Sequence, residues 1–225
     1  MRETFREIGD PMTACSQNRQ SLQQKLPVRR ILVTGGAGFI GANLVRLLLD
    51  RGYEVTVLDN LSSGRRELLE GLPIKFITGD VLDGMTVQGA VADQDGVVHL
   101  AAQTGVPGSL QCPRRDCEIN VLGTLTMLEI CRKVKEQRTI QSGAPGPRFV
   151  FASSNALLGR QSPPATEDKA PLPISPYGAS KLAGEAYCLA YYGSWDWKRL
   201  CFVLETSMAP FRRTKEASWP NFCSR

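Results

Sequence analysis

Three polar residues in the second half of the chain have types and spacings suited to proton transfer. Tyr177 and Lys181 are four residues apart on a helical pattern, so they share one face of the predicted helix. A lysine cation beside a phenol stabilises the phenolate and lowers the pKa of the phenol from about 10. Ser154, at the predicted C-terminal end of a strand, can hydrogen-bond the same oxygen. We therefore interpret Tyr177 as a general base for a substrate hydroxyl, although such a pair taken alone is more often a solvated helix face.

A glycine-rich turn predicts a phosphate-binding site. Gly35, Gly38 and Gly41 are spaced G-x-x-G-x-x-G between a β-branched run and a helical pattern. These glycines would permit a tight turn, a close approach of backbone to a pyrophosphate, and close packing of helix on sheet. The amides at the start of the helix, around Phe39 and Ile40, would face the phosphates. The alternative is an ordinary strand–helix connection, but the required strand before and helix after are both present.

Asp59 closes the second predicted strand and indicates which cofactor this turn binds. An acid at this position can accept hydrogen bonds from both ribose hydroxyls of an adenosine and would repel a 2′-phosphate, which favours NAD over NADP. Arg65 and Arg66 lie nearby and weaken that preference. The alternative is an acid that only caps the turn.

The elements that must position these residues alternate along the chain. From Arg30 onward, strand-like runs alternate with amphipathic helices, which predicts an α/β fold with a parallel, doubly wound sheet. The first helix is expected to bury an apolar stripe that includes Phe39 and Ile40. The predicted strands lie near residues 29–34, 53–59, 74–80, 95–102 and 147–154, and the clearest helices near 39–52, 118–135 and 177–192.

Composition argues against several other classes of protein. The formal net charge is +5, but the excess lies in residues 1–29 and 199–225, so a nucleic-acid partner is not expected. No apolar run is long enough for a membrane span, and the polar start of the chain predicts no secretory signal. The seven cysteines form no C-x-x-C pair, which indicates reduced thiols in a cytoplasmic protein and no metal site. The single histidine, His99, lies in an apolar strand, so we expect it to be structural and exclude a Ser-His-acid hydrolase.

Six segments in order resemble the extended short-chain dehydrogenase/reductase family, whose nucleotide-binding domain is a Rossmann fold. They are the glycine turn, Gly79-Asp80-Val81, the run HLAAQ from His99, the N-V-x-G-T signature from Asn120, the run FASS ending at Ser154, and the Y-x-x-x-K motif of Tyr177 and Lys181. The resemblance covers residues 30–198. It implies catalysis by Ser154, Tyr177 and Lys181, and NAD binding by Gly35, Gly38, Phe39, Ile40, Gly41, Asp59, Asn60, Asp80, Val81, Leu100, Ala101, Ala102, Asn120, Tyr177 and Lys181.

The resemblance is closest to sugar-nucleotide epimerases of the UDP-glucose 4-epimerase type. In these, the tyrosine takes a proton from the sugar 4-hydroxyl while NAD transiently oxidises C4, and the full-length proteins form homodimers. Dehydratases of the family follow the catalytic residue with an Asp-Glu pair, whereas Ser154 is followed by Asn155-Ala156-Leu157-Leu158-Gly159. Leu158 departs from the usual Tyr-Gly ending and leaves the nucleotide sugar undefined. The alternatives are a dehydratase or reductase of the same family, or an inactive NAD-binding fragment.

The end of the chain does not match the family pattern. The family continues with R-F-x-N-V-Y-G-P and a substrate-binding region, which this chain lacks. Back-translation with permitted codons from Lys198, read two bases later, gives a run containing R-F-G-N-V-Y-G-P. We therefore divide the chain into a flexible leader (1–29), a NAD-binding domain (30–198) and a frameshifted tail (199–225). The alternative is a genuine divergent end. In either case the sheet should end after the fifth strand or add one strand at residues 200–204.

Overall fold

The protein is described by a computed structural model that covers residues 29–161, 169–195, 197 and 200–203. Of the predicted leader only Arg29 is described, and of the predicted tail only Leu200–Val203. The rest of both segments lies outside the described residues, so the leader and the frameshift stay predictions.

Strands and helices alternate through the described chain as the sequence predicts. The strands are β1 (Arg30–Thr34), β2 (Glu54–Asp59), β3 (Lys75–Thr78), β4 (Gly96–His99), β5 (Arg148–Ala152) and β6 (Leu200–Val203). The helices are α1 (Phe39–Asp50), α2 (Gly84–Val91), α3 (Val106–Gln111), α4 (Pro113–Cys117), α5 (Gly123–Ser142) and α6 (Pro176–Ser194). Short 3₁₀ turns occupy Arg66–Leu69 and Asn155–Leu158, and a π-helical turn occupies Glu118–Leu122.

The six strands form one sheet in the order β3-β2-β1-β4-β5-β6, and every neighbouring pair is parallel. The order reverses between β1 and β4, which lie side by side although a long stretch of chain separates them. This is the strand order of a doubly wound, Rossmann-type sheet, so the predicted fold is confirmed. The sixth strand is the added strand that the sequence allowed.

Neighbouring residues of a strand point to opposite faces of the sheet, and the central strands carry buried apolar side chains on both faces. In β1, Ile31 and Val33 belong to one apolar cluster and Leu32 to the other. Side chains of α1 pack in the first cluster, and side chains of α2, α5 and α6 pack in the second. Helices on both faces explain why the strands are continuous apolar runs.

The first turn of α1 departs from the sequence prediction. Phe39 is 79% exposed and Ile40 46% exposed, so neither belongs to the buried stripe, which includes Ala42 and Val45. The reason is position: both residues stand where the helix begins, at the edge of the sheet and beyond its buried face. The helix predicted near residues 118–135 also differs, since it opens with the π-helical turn and continues to Ser142.

Candidate active site

The glycine turn joins the carboxyl end of β1 to α1, and two of its glycines are required by the fold itself. Gly35 has a φ of +70°, and a Cβ there would lie 2.7 Å from the amide nitrogen of Ala101. A Cβ on Gly41 would overlap the carbonyl oxygen of Gly35 and lie 2.6 Å from the Cα of Gly36. Any larger residue at either position would force backbone atoms apart.

Gly38 is different, because little of the protein itself opposes a side chain there. Its backbone is extended (φ −77°, ψ 173°), and the only neighbour that a Cβ would meet within 4 Å is the Gly35 carbonyl oxygen, at 3.3 Å. Gly38 also caps α1 without a side-chain hydrogen bond. The first amides of this helix, next to the exposed Phe39 and Ile40, are therefore suited to an anion approaching the turn.

Asp59, at the end of β2, binds two backbone amides of the protein, in addition to its predicted role in binding ribose hydroxyls. The carboxylate is 8% exposed; Oδ2 accepts the Ala37 amide at 2.9 Å and Oδ1 accepts the Leu61 amide at 2.8 Å. It therefore fixes both the glycine turn and the loop after β2. Because each carboxylate oxygen has two lone pairs, these bonds still leave acceptor capacity for a ligand hydroxyl.

Asn60 and Asp80 bring the loops after β2 and β3 together. The Asn60 amide nitrogen Nδ2 donates to Asp80 Oδ2 at 2.9 Å, and Asp80 Oδ1 accepts the Leu82 amide at 3.0 Å. Arg115 of α4 lies 3.9 Å from the same carboxylate. Val81 is buried and packs against Gly123, where a Cβ would lie 2.8 Å from Val81 Cγ2. Asp80 and Val81 thus stand beside each other and beside the start of α5.

The segment of residues 100–103 leaves β4 along the same edge as the glycine turn. The Leu100 amide donates to the Thr34 carbonyl oxygen at 3.1 Å, and the Ala101 amide donates to Thr34 Oγ1 at 3.2 Å. Leu100, Ala101 and Ala102 are all half-buried. The segment thus lies against the Gly35 turn, as a backbone wall beside a bound cofactor would require.

Tyr177 and Lys181 lie one turn apart at the start of α6. Ser175 caps this helix, and its Oγ accepts the Gly178 amide at 3.1 Å. Lys181 is 4% exposed; its Nζ donates to the Ala152 carbonyl oxygen at 2.9 Å and lies 6.0 Å from the centroid of the Tyr177 ring. The ammonium group is thus buried beside the Tyr177 ring.

Ser154 is brought to the same place by the turn that follows β5. It is 7% exposed, and its Oγ accepts the Ala156 amide at 3.2 Å, which starts the 3₁₀ turn Asn155–Leu158. That turn rests on Gly178, where a Cβ would overlap the Ala156 carbonyl oxygen. Gly178, which directly follows Tyr177, therefore allows the serine turn to pack against the first turn of α6. The sequence alone assigns no role to this glycine.

Asn120 joins the segment after β4 to α6 through a buried network. Its Oδ1 accepts the Gln103 amide at 2.8 Å, while Nδ2 lies within 3.1 Å of three acceptors: the Gln103 carbonyl oxygen, Asp116 Oδ1 and Ser180 Oγ. Ser180 Oγ in turn donates to the Tyr177 carbonyl oxygen at 3.0 Å. Since Nδ2 has two hydrogens, these three acceptors share them.

Asp116 and Ser180 are site residues that sequence reasoning missed. Asp116 is 1% exposed, and its second oxygen, Oδ2, is buried without a hydrogen-bond partner among the described residues. Burial raises the pKa of Asp116, while the Ser180 hydroxyl and, to a smaller extent, the Lys181 cation act in the opposite direction. The available signal was the spacing of Asp116 and Asn120, four residues apart on one helical face.

Within the described part of the chain, no group of His, Cys, Asp and Glu side chains could hold a metal ion. The helices that the structure describes also include none long and apolar enough to cross a membrane.

The chain is similar to known proteins over most of its length. Residues 31–223 match the NAD dependent epimerase/dehydratase family. The chain belongs to this family. A relative within it, UDP-glucose 4-epimerase of Mycolicibacterium smegmatis, is 36% identical over 173 residues, which are 74% of this chain and 52% of the relative. The extended short-chain dehydrogenase/reductase resemblance of the sequence is thus confirmed.

Solved structures of the family are also similar to this chain. The UDP-glucose 4-epimerase of Thermus thermophilus, in complex with NAD, is 40% identical, has a TM-score of 0.68 and matches 78% of this chain and 53% of that one. The dTDP-glucose 4,6-dehydratase of Streptomyces venezuelae, with NAD bound, is 32% identical, has a TM-score of 0.69 and matches 78% and 55%. The chain therefore spans about half the length of the relatives it matches.

Proposed function

We propose that this chain carries the NAD-binding and catalytic half of an enzyme that epimerises a nucleotide sugar at C4. The observation that carries the proposal is the buried Lys181 ammonium group, 6.0 Å from the Tyr177 ring and at the same sheet edge as the glycine turn. A proton-accepting phenol next to a dinucleotide site is what reversible oxidation of a sugar hydroxyl needs.

The residues at this edge fit NAD. The open space above Gly38 and the start of α1, where no side chain accepts a hydrogen bond from the first amides, suit a pyrophosphate. Asp59 keeps acceptor capacity for ribose hydroxyls, and Asn60, Asp80 and Val81 lie together at the predicted adenine side. The cofactor site that we propose comprises the glycine turn, these residues, the wall at residues 100–102, Asn120, Tyr177 and Lys181. When bound, NAD would supply the acceptor for a hydride.

The protein's own residues would manage the proton. Tyr177 would accept it from the sugar 4-hydroxyl, since Lys181 stabilises the negative charge of the phenolate that acts as the base. The Ser154 hydroxyl would donate a hydrogen bond to the same substrate oxygen. Asn120 would fix the segment of residues 100–103 relative to α6 through its hydrogen bonds to Gln103 and Ser180.

Epimerisation is favoured over dehydration by the turn after Ser154. Elimination of water needs an acid and a base beside the substrate, and the turn Asn155–Leu158 contains neither. Relatives of both kinds match the chain, so a dehydratase or reductase reaction is the second candidate. The third is a NAD-binding fragment, which tight cofactor binding without turnover would favour.

The same proposal includes the partners. A nucleotide sugar would be the substrate, the full-length form would be a homodimer, and the protein would act in the cytoplasm. Light scattering on the full-length form tests the dimer, since a monomeric mass would contradict it.

The decisive experiment screens UDP-glucose, UDP-galactose and UDP-glucuronate with a frame-restored, full-length version of the protein. Tyr177→Phe should abolish epimerisation and leave NAD binding largely intact, because the acid–base group is removed while the other residues of the proposed cofactor site remain. The matched control is Tyr192→Phe on the same helix, an exposed tyrosine that should change neither quantity. Persistent turnover in Tyr177→Phe would exclude Tyr177 as the base.

A further inference from the structure

His99, the last residue of β4, bridges two hydroxyl groups from different elements. It is 1% exposed, and the Phe149 and Phe151 rings lie against it with centroids at 5.9 and 6.1 Å. Its Nδ1 lies 2.8 Å from Thr34 Oγ1 at the end of β1, and its Nε2 lies 3.1 Å from Thr124 Oγ1 in α5. Both ring nitrogens are therefore engaged in an otherwise apolar surrounding.

The hydrogen-bond partners at the two ends determine which nitrogen carries the proton. Thr124 Oγ1 lies 2.7 Å from the Asn120 carbonyl oxygen, which can only accept, so the single Thr124 hydroxyl hydrogen points there. Thr124 must then accept from His99, which places a hydrogen on Nε2. At the other end the Ala101 amide can only donate, and it donates to Thr34 Oγ1 at 3.2 Å. Thr34 can complete the path by donating to Nδ1.

The neutral form of the imidazole is required for this path. Burial, with a smaller contribution from the Lys181 cation, lowers the pKa of His99 to about 3. A second ring proton, on Nδ1, would point at Thr34 Oγ1 and leave the Thr34 hydroxyl hydrogen without this acceptor. The hydrogen bonds thus run in one direction, from the Ala101 amide through His99 to the Asn120 carbonyl.

Asn120 closes the path into a circuit. Its side chain binds both backbone groups of Gln103, accepting from the amide at 2.8 Å and donating to the carbonyl at 3.0 Å. The segment of residues 100–103 is therefore held at Ala101 and at Gln103, and both anchors lead to His99. The position of this segment matters because a Cβ on Gly35 would lie 2.7 Å from the Ala101 nitrogen. The segment thus packs directly against the glycine turn.

We propose that His99 is a positioning residue: as a neutral imidazole protonated on Nε2, it locks residues 100–103 to Asn120 and so fixes the wall of the cofactor site. The locking follows from the hydrogen-bond circuit alone. Its effect on NAD affinity rests on the proposed function.

The tautomer can be observed directly, because His99 is the only histidine in the chain. A ¹⁵N-labelled sample carrying a histidine-free affinity tag gives imidazole nitrogen resonances from this residue alone. The expected result is a protonated Nε2 and an unprotonated Nδ1, unchanged between pH 8 and pH 5. A proton on Nδ1, or titration with a midpoint near the ordinary histidine value of about 6.5, would overturn the proposal.

The locking is tested with Thr124→Val, which removes the acceptor of Nε2. The matched control is Thr126→Val, since Thr126 Oγ1 donates to the Leu122 carbonyl oxygen at 2.9 Å in the same helix but does not contact His99 in the described structure. Hydrogen exchange at the Ala101 and Gln103 amides should accelerate about two- to tenfold in Thr124→Val, the effect of one neutral hydrogen bond. NAD affinity should weaken by a similar factor, and the control should change neither.

Thr124→Ser separates the circuit from general destabilisation. It restores the hydroxyl and should return both exchange rates to within about twofold of the parent, although it lacks the methyl group. Exchange in Thr124→Val that equals exchange in Thr126→Val would refute the locking. Faster exchange with unchanged NAD affinity would refute the link to the cofactor wall, and absence of NAD binding in the parent would count against the proposed function, not against the circuit.

Discussion

Alanine at two glycines of the turn after β1 should separate a requirement of the fold from a requirement of the ligand. In Gly41→Ala, the new Cβ overlaps the Gly35 carbonyl oxygen and lies 2.6 Å from the Gly36 Cα, both rigid backbone atoms. Overpacking of this kind costs about 3 kcal/mol at its upper range. Alanine in a helix gains about 1 kcal/mol over glycine, so the net loss is about 2 kcal/mol. The melting temperature should fall by about 4–8 °C.

Gly38→Ala should have the opposite profile. Its backbone angles suit alanine, and the only close neighbour of the new Cβ is the Gly35 carbonyl oxygen at 3.3 Å. The melting temperature should therefore stay within about 2 °C of the parent, since the small gain in unfolded-state entropy offsets the tight contact. NAD affinity should fall at least about tenfold, because the methyl group occupies the space proposed for the pyrophosphate.

The assay pairs differential scanning calorimetry with isothermal titration of NAD on all three proteins. Each variant serves as the control for the other, since one should lose stability and the other should lose affinity. A Gly41→Ala protein that melts with the parent would refute the steric argument for the turn. A Gly38→Ala protein that binds NAD as tightly as the parent would refute the assignment of the phosphate site, and Gly38→Val, which is bulkier, would repeat that test.

Three further predictions concern burial and the end of the chain. Because burial holds the pKa of His99 at about 3, this residue takes up a proton when the protein unfolds below pH 6.5. The free energy of unfolding should therefore fall as the pH drops below 6.5, by up to about 1.4 kcal/mol per pH unit. Urea titrations at pH 7 and pH 5 that give equal stability would contradict this. Asp116→Asn should melt at the same temperature as the parent at pH 7, or at a higher one. The reason is that the pKa of the Asp116 carboxyl is raised in the folded protein, so its ionisation lowers the stability as the pH rises. A lower melting temperature of the variant would contradict this prediction. Sequencing the source DNA around the Lys198 codon tests the tail, and an in-frame read through Arg225 would exclude a frameshift.

The parts of the site that sequence predicted are those set by local spacing. The glycine turn needs a strand, a tight connection and a helix within a dozen residues, and each has its own local signal. Tyr177 and Lys181 likewise share a face because of helical periodicity alone. Such features can be derived from sequence because no distant segment decides them.

The parts that sequence missed depend on distant segments. His99 is structural, as the sequence predicts, but its partners could not be predicted. Thr34 and Thr124 lie 65 and 25 residues away and become neighbours only through the sheet order. The environment of Asp116 depends in the same way on α6. The prediction that Phe39 is buried was wrong. Helical periodicity shows which side of a helix faces the sheet, but it does not show how far along the helix the sheet extends.

The order of the strands also has a consequence for the order in which the molecule can assemble during synthesis. β1, β2 and β3 are sheet neighbours as well as chain neighbours, so we expect them to pair as soon as they have emerged. β4 must then add to the opposite edge of β1. The hydrogen-bond circuit of His99 can form only after Thr124 has been synthesised. The nascent chain would therefore have a folded glycine turn before the segment that packs against it is anchored. Slow translation across this interval, at about 5–20 residues per second, would prolong an intermediate with one edge of β1 uncovered.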